Sequence, residues 1–155
     1  MCDIILITIP YSERTKVFEK IKDKCTGIFF EKPFALTLSQ HEYFSNYFKD
    51  YAVTIGYQRR HMGIVKTLKN IINRKLFGSL VSIKINFGDI HYKFDGFRSK
   101  KEKSGGGIFF ETGSHWIDTV LFTTNAKDIK NFKTIKQKID ELDIECNGEF
   151  DIINQ

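Results

Sequence analysis

Cysteines and long hydrophobic runs are scarce in this sequence. The 155 residues include three cysteines, Cys2, Cys25 and Cys146, and no CxxC pair. An odd number of widely spaced cysteines argues against a disulfide framework and against a zinc site. No apolar stretch reaches the length that spans a membrane. These absences favour a folded domain in a reducing compartment, so we expect a cytoplasmic protein with no metal site.

The sequence also has no dense block of one charge and no recognised nucleic-acid-binding motif. The formal net charge is +5, but the lysines are scattered over most of the chain. Scattered lysines are typical of a solvated surface, whereas a nucleic-acid interface concentrates its positive charge. A basic nucleic-acid binder is therefore the least favoured interpretation, and we expect neither nucleic acid nor a membrane as a partner.

The first part of the chain alternates short apolar runs with helical patterns. The runs "DIILITIP", "TGIFFEKP" and "YAVTIGYQ" predict strands buried on both faces, as in parallel sheets. A helix is predicted over 12–24, and a second begins at the capping-box pair Ser39 and Glu42. This order of strands and helices predicts the parallel, right-handed α/β layer of a partial Rossmann-like sheet.

The pattern changes after residue 58. A helix is predicted over 61–75, and the alternating segment "SLVSIKINFGDIHY" predicts a half-exposed strand of an antiparallel sheet. A glycine-led helix follows, and then two strands, "NFKTIKQKI" and "DIECNGEFDII", the second with a break at Asn147–Gly148. We therefore predict two domains: part of a Rossmann-like domain over 1–58, and part of an α+β domain with a mostly antiparallel sheet over 59–155.

Three titratable residues share one side of the glycine-led helix "GGGIFFETGSHWIDTV". At the α-helical 100° per residue, Glu111, His115 and Asp118 fall within about 60° of one another. A carboxylate four residues before a histidine can touch the imidazole and raise its pKa, which suits general acid–base chemistry. Helical geometry leaves two interpretations equally open: a self-satisfied polar cluster in the core, and the wall of an active site.

Two further groups of polar residues follow predicted strands. Lys32, in "EKP", comes directly after the second strand, and Arg59, in "GYQRRH", comes after the third. Ligands of open α/β sheets bind beyond the carboxyl ends of the strands, where a lysine can hold a hydroxyl or stabilise a developing oxyanion. Taken alone, the "EKP" motif is weak, and the arginines fit a solvated strand end better than a binding site.

Four stretches in this order resemble the Gfo/Idh/MocA family of oxidoreductases, which includes glucose–fructose oxidoreductase and inositol dehydrogenase. They are "CDIILITIP", "GIFFEKPFALT", "GYQRRH" with "IINRKLFGSLVSIKINFG" after it, and "GGGIFFETGSHWID". The resemblance implies oxidation or reduction of a sugar, cyclitol or related polyol by hydride transfer, with NAD or NADP as the cofactor.

The resemblance also implies roles for individual residues. Lys32 matches the lysine beside the nicotinamide and the reacting hydroxyl, His115 matches the acid–base, and Glu111 stands where the family usually has aspartate. The implied sites are catalytic Lys32, His115 and Glu111; cofactor-binding Thr8, Pro10, Glu31, Lys32 and Gln58; and substrate-binding Arg59, Glu111, His115 and Asp118.

The sequence departs from the family pattern in its cofactor half. The family begins with a strand, a GxGxxG turn and a helix, and no GxGxxG occurs here. Arg14 stands where a histidine is common. We expect a chain that corresponds to the middle of such an enzyme, truncated at both ends, with an incomplete cofactor site. The alternative is a non-catalytic remnant or partner-binding fragment. In either case self-association, or a companion chain that supplies the missing segment, is expected.

Overall fold

The computed structural model describes residues 2–85, 96, 100–104, 106–139 and 142–153. Within these residues no helix is long and apolar enough to cross a membrane. The strands and helices run in this order: β1 (Ile4–Ile7), α1 (Tyr11–Ile21), β2 (Gly27–Phe30), α2 (Leu38–Tyr47), β3 (Ala52–Ile55), a 3-10 turn (Gln58–His61), α3 (Gly63–Asn73), α4 (Lys101–Ser104), a π-helical turn (Phe109–Gly113), α5 (Ser114–Thr124), β4 (Asp128–Ile139) and β5 (Leu142–Ile153).

The first three strands form the predicted parallel sheet, in the order β1-β2-β3. The prediction that the strands are buried on both faces holds for β2 but is wrong for β1 and β3. Ile7 and Phe30 belong to the hydrophobic core, whereas Ile4 and Leu6, on the opposite face of β1, are 60% and 65% exposed. Residues of α1 and α2 pack in the same core cluster, so both helices lie on one face of the sheet and leave Ile4 and Leu6 of β1 exposed on the other.

Phenylalanine rings fill the space between the sheet and its two helices. Phe18 of α1 lies at the centre, with its ring centroid 4.9 Å from that of Phe44 and 4.6 Å from that of Phe48, both edge-to-face. Phe30 of β2 contacts the same group at 6.3 Å from Phe18. Edge-to-face rings pack densely and add to the free energy gained by burial. The high phenylalanine count is thus largely explained by this core.

Helix α2 begins earlier than the sequence pattern indicated. The predicted capping box at Ser39 and Glu42 is wrong, because the N-cap is Thr37, whose side chain accepts a hydrogen bond from the Gln40 backbone N–H. Thr37 and Gln40 have the same Thr-x-x-Gln spacing that a capping box requires. Both pairs fit the motif, and the helix starts at the first of them.

The segment after α3 does not form the predicted strand in the part that the structure describes. Residues 79–85 have no regular hydrogen-bonded structure, and 86–92 lie outside the described residues. A strand needs a neighbour to satisfy its backbone groups, and within the described chain β4 and β5 pair with each other. The alternating pattern alone could not supply that partner.

The last two strands form the predicted antiparallel pair. Strand β5 runs through Asn147 and Gly148, opposite Ile135 and Thr134 of β4, so the predicted break there is wrong. The ladder is irregular instead between Lys130 and Lys133, where Asn131 has a φ of 54°. Asn tolerates this left-handed conformation better than most residues, which fits a β-bulge.

Helix α5 carries the motif histidine and is entered through the π-helical turn. Gly106 precedes the turn at φ +157°, and a Cβ there would lie 2.7 Å from Cδ2 of Phe110, so only glycine fits. The helix ends at Asn125, which is left-handed and whose amide nitrogen donates to the Asn73 side chain at 3.1 Å. This bond ties the end of α5 to the end of α3.

The parallel sheet ends at Ile55 and α3 begins at Gly63, on either side of the predicted boundary. The division into domains over 1–58 and 59–155 stays a prediction.

Candidate active site

The carboxyl ends of β1, β2 and β3 lie at one edge of the sheet because the strands are parallel. Thr8, Glu31 and Gly56 directly follow the three strands there. A Cβ on Gly56 would lie 2.9 Å from Cζ of Phe29, so the backbone approaches its neighbour closely at this edge. Three separate segments therefore leave the sheet at the edge where open α/β sheets bind ligands.

Arg14 of α1 fixes the loop that carries Lys32. Its side chain is 1% exposed and donates hydrogen bonds to the carbonyl oxygens of Ile9 at 3.3 Å and Glu31 at 2.7 Å. It also donates to the carbonyls of Pro33 and Phe34. The carbonyls of Glu31 and Pro33 flank Lys32, so the guanidinium holds the backbone on both sides of the lysine. Five N–H donors in one plane make arginine suited to this task.

Lys32 reaches from the end of β2 to the π-helical turn. Its Nζ donates to the carbonyl oxygen of Glu111 at 2.6 Å and lies 3.4 Å from Oε1 of the same residue. The lysine side chain is largely buried, and the backbone N–H of Lys32 donates to the Glu31 carboxylate at 3.1 Å. The structure thus brings Lys32 and Glu111 together, although 79 residues separate them.

His115 lies in α5, is 6% exposed, and packs against Tyr57 with the ring centroids 6.1 Å apart. Within the described residues its Nδ1 is buried and has no hydrogen-bond partner. Burial lowers the pKa of His115 from 6.5 to about 4, with further lowering by the charges of Lys32 and Arg59. Glu111 raises the pKa of His115, as expected, and Asp118 does the same, but the two oppose the lowering only in part.

The π-helical turn explains why the Glu111 carboxylate does not determine the pKa of His115. Residues 109–113 wind more loosely than an α-helix, so the 100° spacing assumed between Glu111 and His115 does not hold there. Glu111 meets Lys32 instead. Isolated π-helical turns are rare in proteins and often lie at functional sites.

Asp118 forms an ion pair with Arg60. Nε of Arg60 donates to Oδ1 at 3.1 Å and to Oδ2 at 2.9 Å, and a second guanidinium nitrogen also contacts Oδ1. The pair raises the pKa of Arg60. Burial raises the pKa of neighbouring Tyr57, and the charge of Asp118 adds to this shift. Both oxygens of Asp118 are therefore engaged by a residue of the 3-10 turn.

The adjacent arginine, Arg59, makes a different contact. Its guanidinium carbon lies 3.9 Å above the centroid of the Trp116 ring. This contact makes Trp116 a neighbour of Arg59, one of the predicted substrate-binding residues. Stacking of this kind fixes the plane of the guanidinium.

A cavity of about 240 Å³ lies beside the site. Its walls are mostly apolar, and Tyr57 and Asp118 belong to both the cavity and the site. Pro33, next to Lys32, also borders it. The lining residues are Pro33, Tyr57, Phe109, Phe110, Ser114, Ile117, Asp118 and Leu121.

The structure brings Lys32, Glu111 and His115 together, with Arg59 and Asp118 on the same helix or in the turn beside it. The predicted cofactor residues Thr8, Pro10 and Gln58 lie at strand ends or helix starts: Thr8 and Gln58 are exposed, and Pro10 precedes α1. The sequence interpretation missed Arg14, Tyr57, Arg60 and Trp116 as contributors. Only Arg14 and Arg60 carried a signal, as arginines directly after the motif turns. Among the described residues, no group of three or more histidine, cysteine or acidic side chains could hold a metal ion.

The residues present fit one end of a nicotinamide cofactor. Lys32, the Glu31 carboxylate and the orphaned Nδ1 of His115 are polar groups suited to a nicotinamide and a reacting hydroxyl. The pyrophosphate end is not matched. No glycine lies in the loops that lead into α1 and α2, at 8–10 and 31–37, so neither helix start has the close-approach backbone that cradles phosphates.

The described chain joins a parallel α/β layer, with Lys32 at its carboxyl edge, to a histidine-bearing helix and an antiparallel pair of strands. Residues 65–147, more than half of the 155, match the family model of the GFO/IDH/MocA C-terminal domain. The chain belongs to the Gfo/Idh/MocA family.

Solved structures share this fold. A protein from Desulfitobacterium hafniense DCB-2 classed as an NADPH-dependent oxidoreductase matches with a TM-score of 0.74 and 21% identity, over 91% of this chain and 42% of its own. The super-repressor mutant of Gal80p from Saccharomyces cerevisiae has a TM-score of 0.72 and 20% identity, over 88% and 38%. Apo scyllo-inositol dehydrogenase from Lactobacillus casei has a TM-score of 0.61 and 20% identity, over 88% and 39%.

At these identities the likeness shows the fold alone. The chain spans about two fifths of the length of the structures that it matches. No curated protein sequence matches it.

Proposed function

We propose that this chain carries the reacting part of an NAD(P)-dependent oxidoreductase that acts on a sugar, cyclitol or related polyol. The observation that carries the proposal is the buried, unpartnered Nδ1 of His115, on the helix that directly follows the π-helical turn contacted by Lys32. Buried polar atoms are nearly always satisfied, so an orphaned imidazole nitrogen in such a place suits a substrate hydroxyl.

In the proposed mechanism His115 accepts the proton of the substrate hydroxyl. Its lowered pKa keeps the imidazole neutral near pH 7, which is the form that can accept a proton. The Nζ of Lys32 holds the reacting oxygen, and Glu111 orients the ammonium through its carbonyl and carboxylate. A bound nicotinamide would supply the hydride acceptor.

Two of the relatives favour this interpretation. One is classed as an NADPH-dependent oxidoreductase and another is a scyllo-inositol dehydrogenase. In the proposal, Thr8, Pro10, Glu31 and Gln58 border the nicotinamide, Arg59 and Asp118 border the substrate, and residues 59–155 form the substrate domain.

A non-catalytic role is the second candidate. The super-repressor mutant of Gal80p shares the fold, so the fold also serves a repressor. The uncovered apolar face of the sheet, with Ile4 and Leu6 exposed, would favour association in that case. The two candidate functions differ in what they require of Lys32 and His115. Substitution of these residues should abolish catalysis, whereas a non-catalytic role does not need their chemistry.

The test is the formation of NADH or NADPH by the purified chain with saturating NAD⁺ or NADP⁺ and a panel of cyclitols and sugars. We expect slow turnover that falls about 100-fold or more in His115→Ala and in Lys32→Ala. Lys16→Ala, which removes a lysine paired with Glu13 on the exposed side of α1, is the matched control and should keep full turnover. If both site variants keep the wild-type turnover, the catalytic proposal is wrong.

Cofactor binding tests the incomplete site separately. Without a glycine-rich pyrophosphate turn, NADH and NADPH should bind weakly and with similar affinity in a fluorescence titration. Tight binding, or a strong preference between the two, would contradict the proposal that the chain lacks the pyrophosphate and ribose contacts.

A further inference from the structure

Two adjacent arginines of the 3-10 turn differ in how their charge is balanced. Arg60 donates to both oxygens of the buried Asp118 carboxylate. Arg59 has no ion pair with any carboxylate in the part of the chain that the structure describes. Lys32, the other cation near His115, is paired with Glu111. Arg59 is therefore the cation of this site whose charge the described residues leave unbalanced.

The geometry of Arg59 suits an anionic ligand. Its guanidinium carbon lies 3.9 Å over the centroid of the Trp116 ring. A guanidinium that stacks on an aromatic ring keeps the N–H groups at the edge of its plane available to donate. A guanidinium held in this way can bind a carboxylate or a phosphate through two parallel hydrogen bonds. The side chain is partly exposed, so a ligand from solvent can reach it.

Arg59 also lies close to the proposed reacting group. Trp116 directly follows His115 in α5, and the charge of Arg59 contributes to the lowered pKa of His115. Tyr57, two residues before Arg59, packs against the same imidazole. A ligand whose anionic group meets Arg59 would thus extend toward His115.

From the unbalanced charge and fixed plane of Arg59, we propose that the substrate carries an anionic oxygen group, a carboxylate or a phosphate, which Arg59 binds. The substrate class is an acidic sugar or polyol and not a neutral one. This inference rests on the proposed function for the identity of the reacting site, and it assigns Arg59 as the residue that determines specificity.

The chain contains a single tryptophan, so Trp116 reports on ligands at Arg59. The experiment titrates the purified chain with D-glucuronate, D-glucose 6-phosphate, D-glucose and inorganic phosphate, and follows Trp116 fluorescence. We expect glucuronate or glucose 6-phosphate to bind about tenfold or more tightly than glucose, since a charge-assisted, two-point hydrogen bond is the difference between them. The carboxylate and phosphate arms identify which of the two anions the site prefers.

Variants connect the preference to Arg59. Arg59→Gln should abolish the preference, and Arg59→Lys, which keeps the charge but loses the planar stack, should retain part of it. Arg74→Gln, at the exposed end of α3, removes the same charge elsewhere and should leave the preference unchanged. Calorimetry measures the same affinities in variants whose tryptophan signal changes.

Three results would overturn the inference: glucose that binds as tightly as the anions, a preference that survives in Arg59→Gln, or inorganic phosphate that binds as tightly as the sugar anions. The binding assay needs no cofactor, so it can fail or succeed independently of turnover. If the chain turns over only a neutral polyol, the proposed oxidoreductase function is supported and the proposal of an anionic substrate is wrong. If an acidic sugar binds at Arg59 but is not turned over, the anionic ligand is supported and the proposed oxidoreductase function is contradicted.

Discussion

The parallel layer and helix α5 bury different kinds of side chain. The hydrophobic core of the layer is almost purely apolar and aromatic: Ile7, Phe18, Cys25, Ile28, Phe30, Phe34, Phe44 and Phe48. Helix α5 buries one aliphatic residue among five polar ones: His115, Asp118, Thr119, Val120, Thr123 and Thr124. The parallel layer forms an apolar core, whereas the side chains that α5 buries are mainly polar.

The difference shows where stability and chemistry are located. Burying polar groups is unfavourable unless each finds a partner. In α5 the threonine hydroxyls donate to carbonyls of the preceding turn, and Asp118 is paired with Arg60. Nδ1 of His115 is buried and has no hydrogen-bond partner among the described residues, so it is free for a ligand. We infer that the layer supplies most of the folding free energy and α5 supplies the site.

The sharpest test of this contrast is Phe30→Ala. Phe30 is 0% exposed at the centre of the aromatic cluster, and its loss should lower the free energy of unfolding by about 3–5 kcal/mol. Phe132→Ala, at a 42% exposed ring of the β4–β5 pair, is the control and should lower it by about 1 kcal/mol or less. Urea denaturation measures both. Equal losses would contradict the idea that stability is concentrated in the layer.

Arg14 is the polar exception inside the apolar region. Arg14→Ala would leave the carbonyls of Glu31, Pro33 and Phe34 without this donor, and should lower the free energy of unfolding by about 2–4 kcal/mol. Arg14→Lys should recover part of that loss, because one ammonium can serve some of the carbonyls.

Arg14 also has a predicted effect on chemistry. If it positions Lys32 through the flanking carbonyls, Arg14→Lys should lower kcat more than it changes the KM for the polyol. A variant that loses stability but keeps kcat would restrict Arg14 to a structural role.

The sequence was sufficient for the parallel layer and for the presence of a polar helix, and it failed where distant residues decide. Continuous apolar runs located β1 to β3, because the apolar residues of each strand are contiguous in the sequence. The burial of Arg14 could not be predicted, since its acceptors come from residues 31–34 of another segment. The strand expected over 79–85 likewise depended on a partner that periodicity cannot identify.

The assignment of Lys32, Glu111 and His115 to a site stays a prediction, and the contacts among them were not foreseen. Lys32, Glu111 and His115 were identified by their motifs, and the structure places Lys32 against Glu111. The expected contact between Glu111 and His115 assumed α-helical spacing, which the π-helical turn removes. The glycines next to this turn lie close to phenylalanine rings, Gly106 to Phe110 and Gly113 to Phe109. Such packing cannot be predicted from a residue pattern.

The pH dependence of stability tests the buried polar region. The pKa of His115 is about 4 in the fold and 6.5 when unfolded, so between these values the unfolded chain binds more protons. The free energy of unfolding is therefore unaffected by protonation of His115 above pH 6.5. It decreases as pH falls toward 4, by at most about 3 kcal/mol. The titratable and charged groups near the imidazole are Lys32, Tyr57, Arg59, Glu111 and Asp118.

Replacement of the imidazole isolates its contribution to that profile. In His115→Gln the difference between unfolding free energies measured at pH 6.5 and pH 4 should shrink, while the background slope from carboxylates remains. His41→Gln, at an exposed histidine of α2, is the matched control and should retain the wild-type profile. An unchanged profile in His115→Gln would mean that the histidine is not buried in its neutral form.

The smallest predicted effect concerns the threonines of α5. The hydroxyl of Thr123 is buried and donates to the carbonyl of Thr119 at 2.8 Å, inside a helix whose backbone already supplies a donor to that carbonyl. Thr123→Val keeps the shape and removes the hydroxyl, so the free energy of unfolding should change by about 1 kcal/mol or less. Thr123→Ser keeps the hydroxyl and loses the methyl, and should be the more destabilising of the two because it opens a gap in the packing. The reverse order in urea denaturation would mean that α5 depends on its buried hydroxyls, and the polar interior of this helix would then be structural as well as functional.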